Sequence, residues 1–180
     1  MDIDFEPMDF IQVNGEVNRG LVRLALKELD PQPQDAVLDL FSGLGNFTLP
    51  LARVAAEVTG VESEMGLVAR ARRNAEQNGL ANARFEQADL YSGEQQGAWA
   101  RKRYARILLD PPRAGAREII ARFPRFGAER LVYVSCHPAT LARDARMLVE
   151  DQGWRLARAG VLDMFPHTAH VESVAVFIRN

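Results

Sequence analysis

A chain of 180 residues, 47% hydrophobic and 26% charged, is long enough for one domain with a sizeable core and has the composition of an ordinary globular protein. Its formal net charge of −2 is unlike that of a chain that grips a nucleic-acid backbone unaided, and no apolar run reaches the roughly 18 residues of a membrane span. A single cysteine excludes an intrachain disulfide and a cysteine-built zinc or iron–sulfur site, and the acidic start Met1-Asp2-Ile3-Asp4 is no secretory signal. A reducing cytoplasm is the expected setting.

Residues 1–14 read as an irregular or extended lead-in. Val17, Leu21, Leu24, Ala25 and Leu29 fall on one face at helical spacing, so 15–29 is a predicted helix, stopped by Pro31 and Pro33. Strands are then predicted at 36–40, 57–62, 83–87, 105–109 and 130–135. Helices are predicted at 45–55, 64–78, 93–102, 116–123 and 139–151. The last two apolar segments, near 154–163 and 171–178, have no helix pattern between them and should form an antiparallel pair. There are no internal repeats. The alternation implies an α/β fold: a mostly parallel sheet covered by helices on both faces, with an antiparallel last strand. Arginine clusters at 70–73, 101–106 and 117–125 read most simply as solvated helix faces.

In such sheets ligands collect at the carboxyl ends of the strands, and the chemically informative residues fall there. Asp39-Leu40-Phe41-Ser42-Gly43-Leu44-Gly45-Asn46 joins the first strand to its helix, with two glycines that let backbone approach a ligand. Alone, they also suit a plain tight turn. Glu62 ends the second strand, where a carboxylate can accept from both hydroxyls of a ribose. Thr48 stands where a third glycine of the dinucleotide fingerprint would be. The shorter loop, Glu62 and then Asp89 after the third strand together resemble the S-adenosylmethionine pattern of Rossmann-like methyltransferases.

Asp110-Pro111-Pro112-Arg113 follows the fourth strand, and the two prolines hold the preceding carboxylate rigidly. Cys136 ends the apolar run Leu131–Ser135 just before a predicted helix, whose positive N-terminal end should favour thiolate over thiol. A thiolate is a candidate nucleophile for an electrophilic carbon. Glu172 opens the final strand, where partial desolvation should raise its basicity, so it is a candidate general base. His137 reads as structural. His167 and His170 lie near Glu172, but no metal-ligand motif surrounds them and no metal is assigned.

Five ordered motifs resemble the bacterial RNA 5-methyluridine methyltransferases: Asp9-Phe10-Ile11-Gln12-Val13-Asn14, Leu38–Phe47, Asp110–Gly115, Ser135–Asp144 and His167–Glu172. The resemblance is strongest to the branch that modifies 23S ribosomal RNA, with the transfer-RNA branch a near relative. It implies a seven-stranded Rossmann-like fold and S-adenosylmethionine as cofactor, leaving S-adenosylhomocysteine. It also implies an RNA substrate, most simply 23S rRNA; from composition and the single cysteine, no membrane segment, protein partner, metal or cluster is expected in this chain. It assigns Cys136 as nucleophile for uracil C6 and Glu172 as base. Gln12, Phe41, Gly43, Gly45, Asn46, Glu62, Asp89 and Asp110 fall at the cofactor, and Asp110, Pro111 and Arg113 at the base to be methylated. The lead-in 1–14 contributes to the cofactor site and 15–180 is one catalytic domain. The family's N-terminal RNA-binding and central domains find no counterpart, so a second expectation is a cofactor-binding domain inactive without them. A cytosine-5 enzyme would place proline directly before the cysteine, where this chain has Ser135.

Overall fold

Most of the strands are short runs rich in buried Val, Ile and Leu. The computed structural model describes residues 1–7, 9, 14–92, 97–163 and 171–179. Its strands are β1 (Ala36–Leu40), β2 (Glu57–Glu62), β3 (Ala83–Gln87), β4 (Arg106–Leu109), β5 (Arg130–Ser135), β6 (Arg155–Leu162) and β7 (Glu172–Ile178). Its helices are α1 (Gly15–Leu29), α2 (Thr48–Ala52), α3 (Met65–Gln77), α4 (Arg117–Ile120), α5 (Phe123–Phe126) and α6 (Pro138–Arg146). The sheet order is β3-β2-β1-β4-β5-β7-β6. The first five strands run parallel, and β7 enters between β5 and β6, antiparallel to both.

Side chains alternate across this sheet with the two-residue period of a strand. Ile107, Leu109, Leu131 and Tyr133 join one core with Trp99, Phe123 and Trp154. Val37, Leu108, Val132 and Val134 join another with Leu21, Ala25 and Leu29 of α1. Helices therefore cover both faces, as the pattern predicts. Chain order reverses between β1 and β4, which opens a crevice at their carboxyl ends.

Four helices differ from expectation. The predicted 45–55 helix shrinks to α2; at its start Gly45 takes φ of +95° and cannot join a right-handed helix. The predicted 116–123 helix breaks into α4 and α5, with Pro124 in the first turn of the second. The α-helix predicted to reach 151 ends at Arg146, and its last turn, Met147–Asp151, is π-type. Of 93–102, Trp99–Arg101 is a single 3-10 turn, and 93–96 lie outside the described residues.

The start of the chain runs along α3. Asp4 exchanges backbone hydrogen bonds with the Asn74 side chain, at 3.0 and 3.2 Å, and Asp2 does the same with Asn78 at 3.2 and 2.7 Å. Arg70 pairs with Asp9 and lies 3.4 Å from Glu6, so this arginine anchors the chain start rather than a solvated face. Among the described residues no helix is long and apolar enough to cross a membrane.

Candidate active site

The glycine loop is built on β1. Leu40 ends the strand, and the amides of Phe41 and Ser42 both donate to the Val61 carbonyl of β2, at 2.9 and 3.1 Å. That sharp turn holds Phe41 at φ +64°, a costly conformation for a non-glycine residue and one that clusters at ligand sites. Gly45 is required twice over: its φ is left-handed, and an added Cβ would lie 3.0 Å from Leu49 and 3.3 Å from Phe85. An added Cβ at Gly43 would meet nothing within 4 Å, so there the loop backbone faces open space.

Asp39 is fully buried and accepts from the Thr48 hydroxyl at 2.5 Å. Thr48, which replaces the third glycine of the dinucleotide fingerprint, thus holds this carboxylate. Burial pushes Asp39 up to about 7 despite the Thr48 bonds, and the charge of Glu62 adds to the rise. Its Oδ1 is buried without a hydrogen-bond partner among the described residues.

Glu62 closes the mouth of the loop. One oxygen accepts from the Gly43 amide at 3.1 Å; the other takes the Ser63 amide, the Ser63 hydroxyl and the Glu64 amide. Asn46 forms a closed amide pair with Asn18 of α1, at 2.9 and 3.0 Å, which ties the loop's far end to that helix. Asp89 sits exposed beyond β3 and accepts from the Tyr91 amide at 2.9 Å. The Tyr91 ring lies 5.7 Å from the Phe41 ring, so the β3 loop and the glycine loop touch. Gln12, His167 and His170 lie outside the described residues.

The second half of the site gathers at the ends of β4, β5 and β7. Ser135 pairs with Ser173, so the antiparallel register carried one step further sets Cys136 opposite Glu172. Asp110 follows β4, the other neighbour of β5. Glu172 is 3% exposed, and burial raises its carboxyl above the usual range, as its place at the strand end predicts. Burial also raises Asp110 well above the usual range, with Glu172 and Asp39 adding to it. Asp39 and Glu172 thus both oppose the ionisation of Asp110 across one crevice.

Cys136 corrects an expectation. It is half-buried and precedes the cap of α6, and its thiol is raised rather than lowered. Burial contributes most, followed by Glu172 and Asp110; Arg113 and a backbone hydrogen bond pull the other way. Two facing carboxylates and desolvation outweigh the helix end. His137 caps α6, with Nδ1 accepting from the Thr140 amide at 3.4 Å, a structural role as expected. Pro111 is buried and Arg113 exposed, so the Asp110–Arg113 ledge has an inner and an outer part. The site therefore unites Phe41, Gly43, Gly45, Asn46, Glu62, Asp110, Cys136 and Glu172 along one edge of the sheet, with Asp89 at its rim.

Sequence reading missed Thr48, Asn18 and Tyr91. The spacing of Thr48 after Asp39 was a usable signal. The others act through contacts distant in sequence and left none.

A mixed sheet with β7 inserted between β5 and β6, and acidic residues at the ends of β1, β2 and β4, defines a Rossmann-like methyltransferase of the S-adenosylmethionine-dependent class. A precorrin-6y C5,15-methyltransferase structure from Geobacter metallireducens shares the fold, with a TM-score of 0.77 at 13% identity over 99% of this chain and 95% of that one. The chain belongs to the tRNA (Uracil-5-)-methyltransferase family, whose sequence profile matches residues 3–180. It is 58% identical over 179 residues to the 23S rRNA (uracil(1939)-C(5))-methyltransferase RlmD of Xanthomonas oryzae, covering 99% of this chain. The chain spans about 40% of the length of the curated relatives it matches. A Pyrococcus abyssi tRNA (uracil-54, C5)-methyltransferase in complex with S-adenosyl-L-homocysteine superposes with a TM-score of 0.81 at 35% identity, over 98% of this chain and 42% of that one.

Proposed function

We propose that this chain is the catalytic domain of an S-adenosylmethionine-dependent enzyme that methylates C5 of a uridine in RNA, with 23S rRNA as the substrate that the relatives at 58% identity favour. The carrying observation is the register that sets Cys136 opposite Glu172 with Asp110 alongside. The residues fit the cofactor. The Gly43 backbone faces open space, Glu62 stands at the loop mouth, and Asp39 keeps a buried oxygen unpartnered. Gln12, Phe41, Gly43, Gly45, Asn46, Glu62, Asp89 and Asp110 would hold it. When bound, the cofactor supplies a methyl group made electrophilic by a sulfonium.

The protein's own residues do the rest. Asp110, Pro111 and Arg113 hold the uracil against β4 and β5. Cys136 Sγ, as thiolate, bonds to uracil C6 and makes C5 nucleophilic. Once C5 carries the methyl group, Glu172 accepts the C5 proton, and the returning electron pair expels Cys136 from C6. The raised Glu172 gives a carboxylate basic enough for that transfer. The raised thiol means that substrate arrival, rather than the free protein, must favour thiolate. A reducing compartment, the cytoplasm, keeps this single cysteine in its thiol form.

The test is methyl transfer from labelled S-adenosylmethionine to a uridine-containing 23S rRNA fragment, with mass mapping of the product. Cys136→Ala should abolish transfer and keep cofactor binding. Glu172→Gln should accumulate a covalent RNA–protein adduct, because Sγ cannot leave while the C5 proton stays. Normal turnover by either variant rejects its assigned role. The net charge of −2 and the 40% span favour a second reading, a domain that binds cofactor but needs further RNA-gripping surface. Cofactor binding without transfer by the wild-type chain would select it.

A further inference from the structure

Asp144 has no solvent exposure and lies in α6, beyond the proposed nucleophile. Its Oδ2 accepts from the Tyr133 hydroxyl at 2.8 Å and from the Ala116 amide at 2.7 Å. Its Oδ1 accepts from Arg143 Nε at 2.8 Å, with Arg143 Nη2 2.7 Å away. Successive residues on a helix normally diverge. Here both side chains turn onto one three-residue stretch, since Arg143 Nη2 also donates to the Ala114 carbonyl at 2.9 Å. The pair thus grips residues 114–116 at both ends.

The residue between them leaves no slack. Gly115 has φ +83°, and an added Cβ would lie 2.5 Å from Arg143 Nη2 and 2.6 Å from Asp144 Oδ2. The Gly115 amide donates to the Pro112 carbonyl at 2.9 Å, closing a turn around Arg113 and Ala114. The Gly115 carbonyl accepts from the Tyr91 hydroxyl at 3.1 Å, on the ring that touches Phe41. An apolar core would not need this buried charge for stability; a fully satisfied one fixes a single geometry. What it fixes is the turn that carries Arg113, a cation whose field acts on Cys136.

We propose that Asp144 is a positioning residue: with Arg143 and Tyr133 it locks the Pro112–Gly115 turn to the two elements that flank Cys136, and so sets where Arg113 stands relative to the thiol. The claim rests on reading Cys136 as the nucleophile. The charges that act on that thiol are those of Asp110 and Arg113 from the loop after β4 and of Glu172 from β7.

Cys136 is the single cysteine, so its alkylation by iodoacetamide across pH reads the thiol without RNA or methyl transfer. Asp144→Asn should move the midpoint of that profile upward and slow alkylation at pH 7.5 by about 3-fold or more, as a displaced Arg113 releases the thiolate. Removing a negative charge acts in the opposite sense through its field alone, so an upward shift reports displacement. Arg113→Gln should give the upward shift directly. An Asp144→Asn profile that superimposes on the wild type, or moves downward, overturns the proposal. If Asp144→Asn does not fold, Tyr133→Phe, which removes one donor and keeps the ring, decides between the same outcomes. A wild-type chain that never methylates uridine would reject the proposed reaction, while the alkylation profile would still decide the role of Asp144.

Discussion

Asp39 shows how one side chain records the conflict between fold and site. It stands in a strand whose neighbours are apolar, and its burial costs free energy whenever it is ionised. Its folded pKa of about 7 exceeds the ordinary 3.8, so the folded protein holds a proton that the unfolded chain releases in between. Its contribution to stability is full below about pH 4 and is lost as pH rises through about 7. Asp39→Asn should therefore flatten the fall of Tm between pH 4 and 7; an unchanged slope would show that Asp39 is ionised throughout. Asp110 is shifted in the same direction, so part of the slope should remain. These shifts arise first from burial and then from carboxylates on other strands, neither of which the helix end beside Cys136 reveals, so sequence reading took its thiol in the wrong direction.

At the scale of elements, the loops between strands and helices carry the site and set its tolerance to change. The glycine loop is legible in sequence because Gly43 and Gly45 meet a backbone need that other residues satisfy at a cost. Gly45→Ala should lower stability by about 1–3 kcal/mol, from positive φ and from contact with Leu49 and Phe85. It should also weaken S-adenosylmethionine binding. Urea denaturation and calorimetric titration read the two effects, and an alanine variant of wild-type stability would count against the strain. Helix lengths were less legible than strands. Buried strands announce themselves by β-branched runs, whereas the ends of α2, α4 and α6 depend on positive φ, a mid-segment proline and a π turn.

For the whole molecule, long-range polar contacts join parts far apart in sequence. Asn74 is the clearest case: fully buried on α3, it exchanges hydrogen bonds with Asp4 and donates to the Leu44 carbonyl of the glycine loop at 3.3 Å. Asn74→Ala would remove the side-chain partner of three backbone groups, the Asp4 amide and carbonyl and the Leu44 carbonyl, and should cost about 1–3 kcal/mol in denaturant unfolding. A change under about 0.5 kcal/mol would mean that solvent replaces the lost bonds. At the far edge, β6 is exposed along nearly its whole length, with Val161 69% exposed. Its bulge at Leu156/Arg158 and its arginines discourage pairing with another strand there.

By itself the sequence determined the α/β class, most strand positions, the acidic and glycine residues at the strand ends, and the candidate pair Cys136 and Glu172. Each of these rests on local pattern: period, punctuation by glycine and proline, and residue chemistry. Only the tertiary structure decided that β7 slides between β5 and β6, which sets Glu172 opposite Cys136. Only it decided that Asp39 and Glu172 oppose the ionisation of Asp110, and that Asp144 grips the turn bearing Arg113. Sheet order and through-space charge are properties of pairs distant in the chain, and no local pattern encodes which pairs will meet.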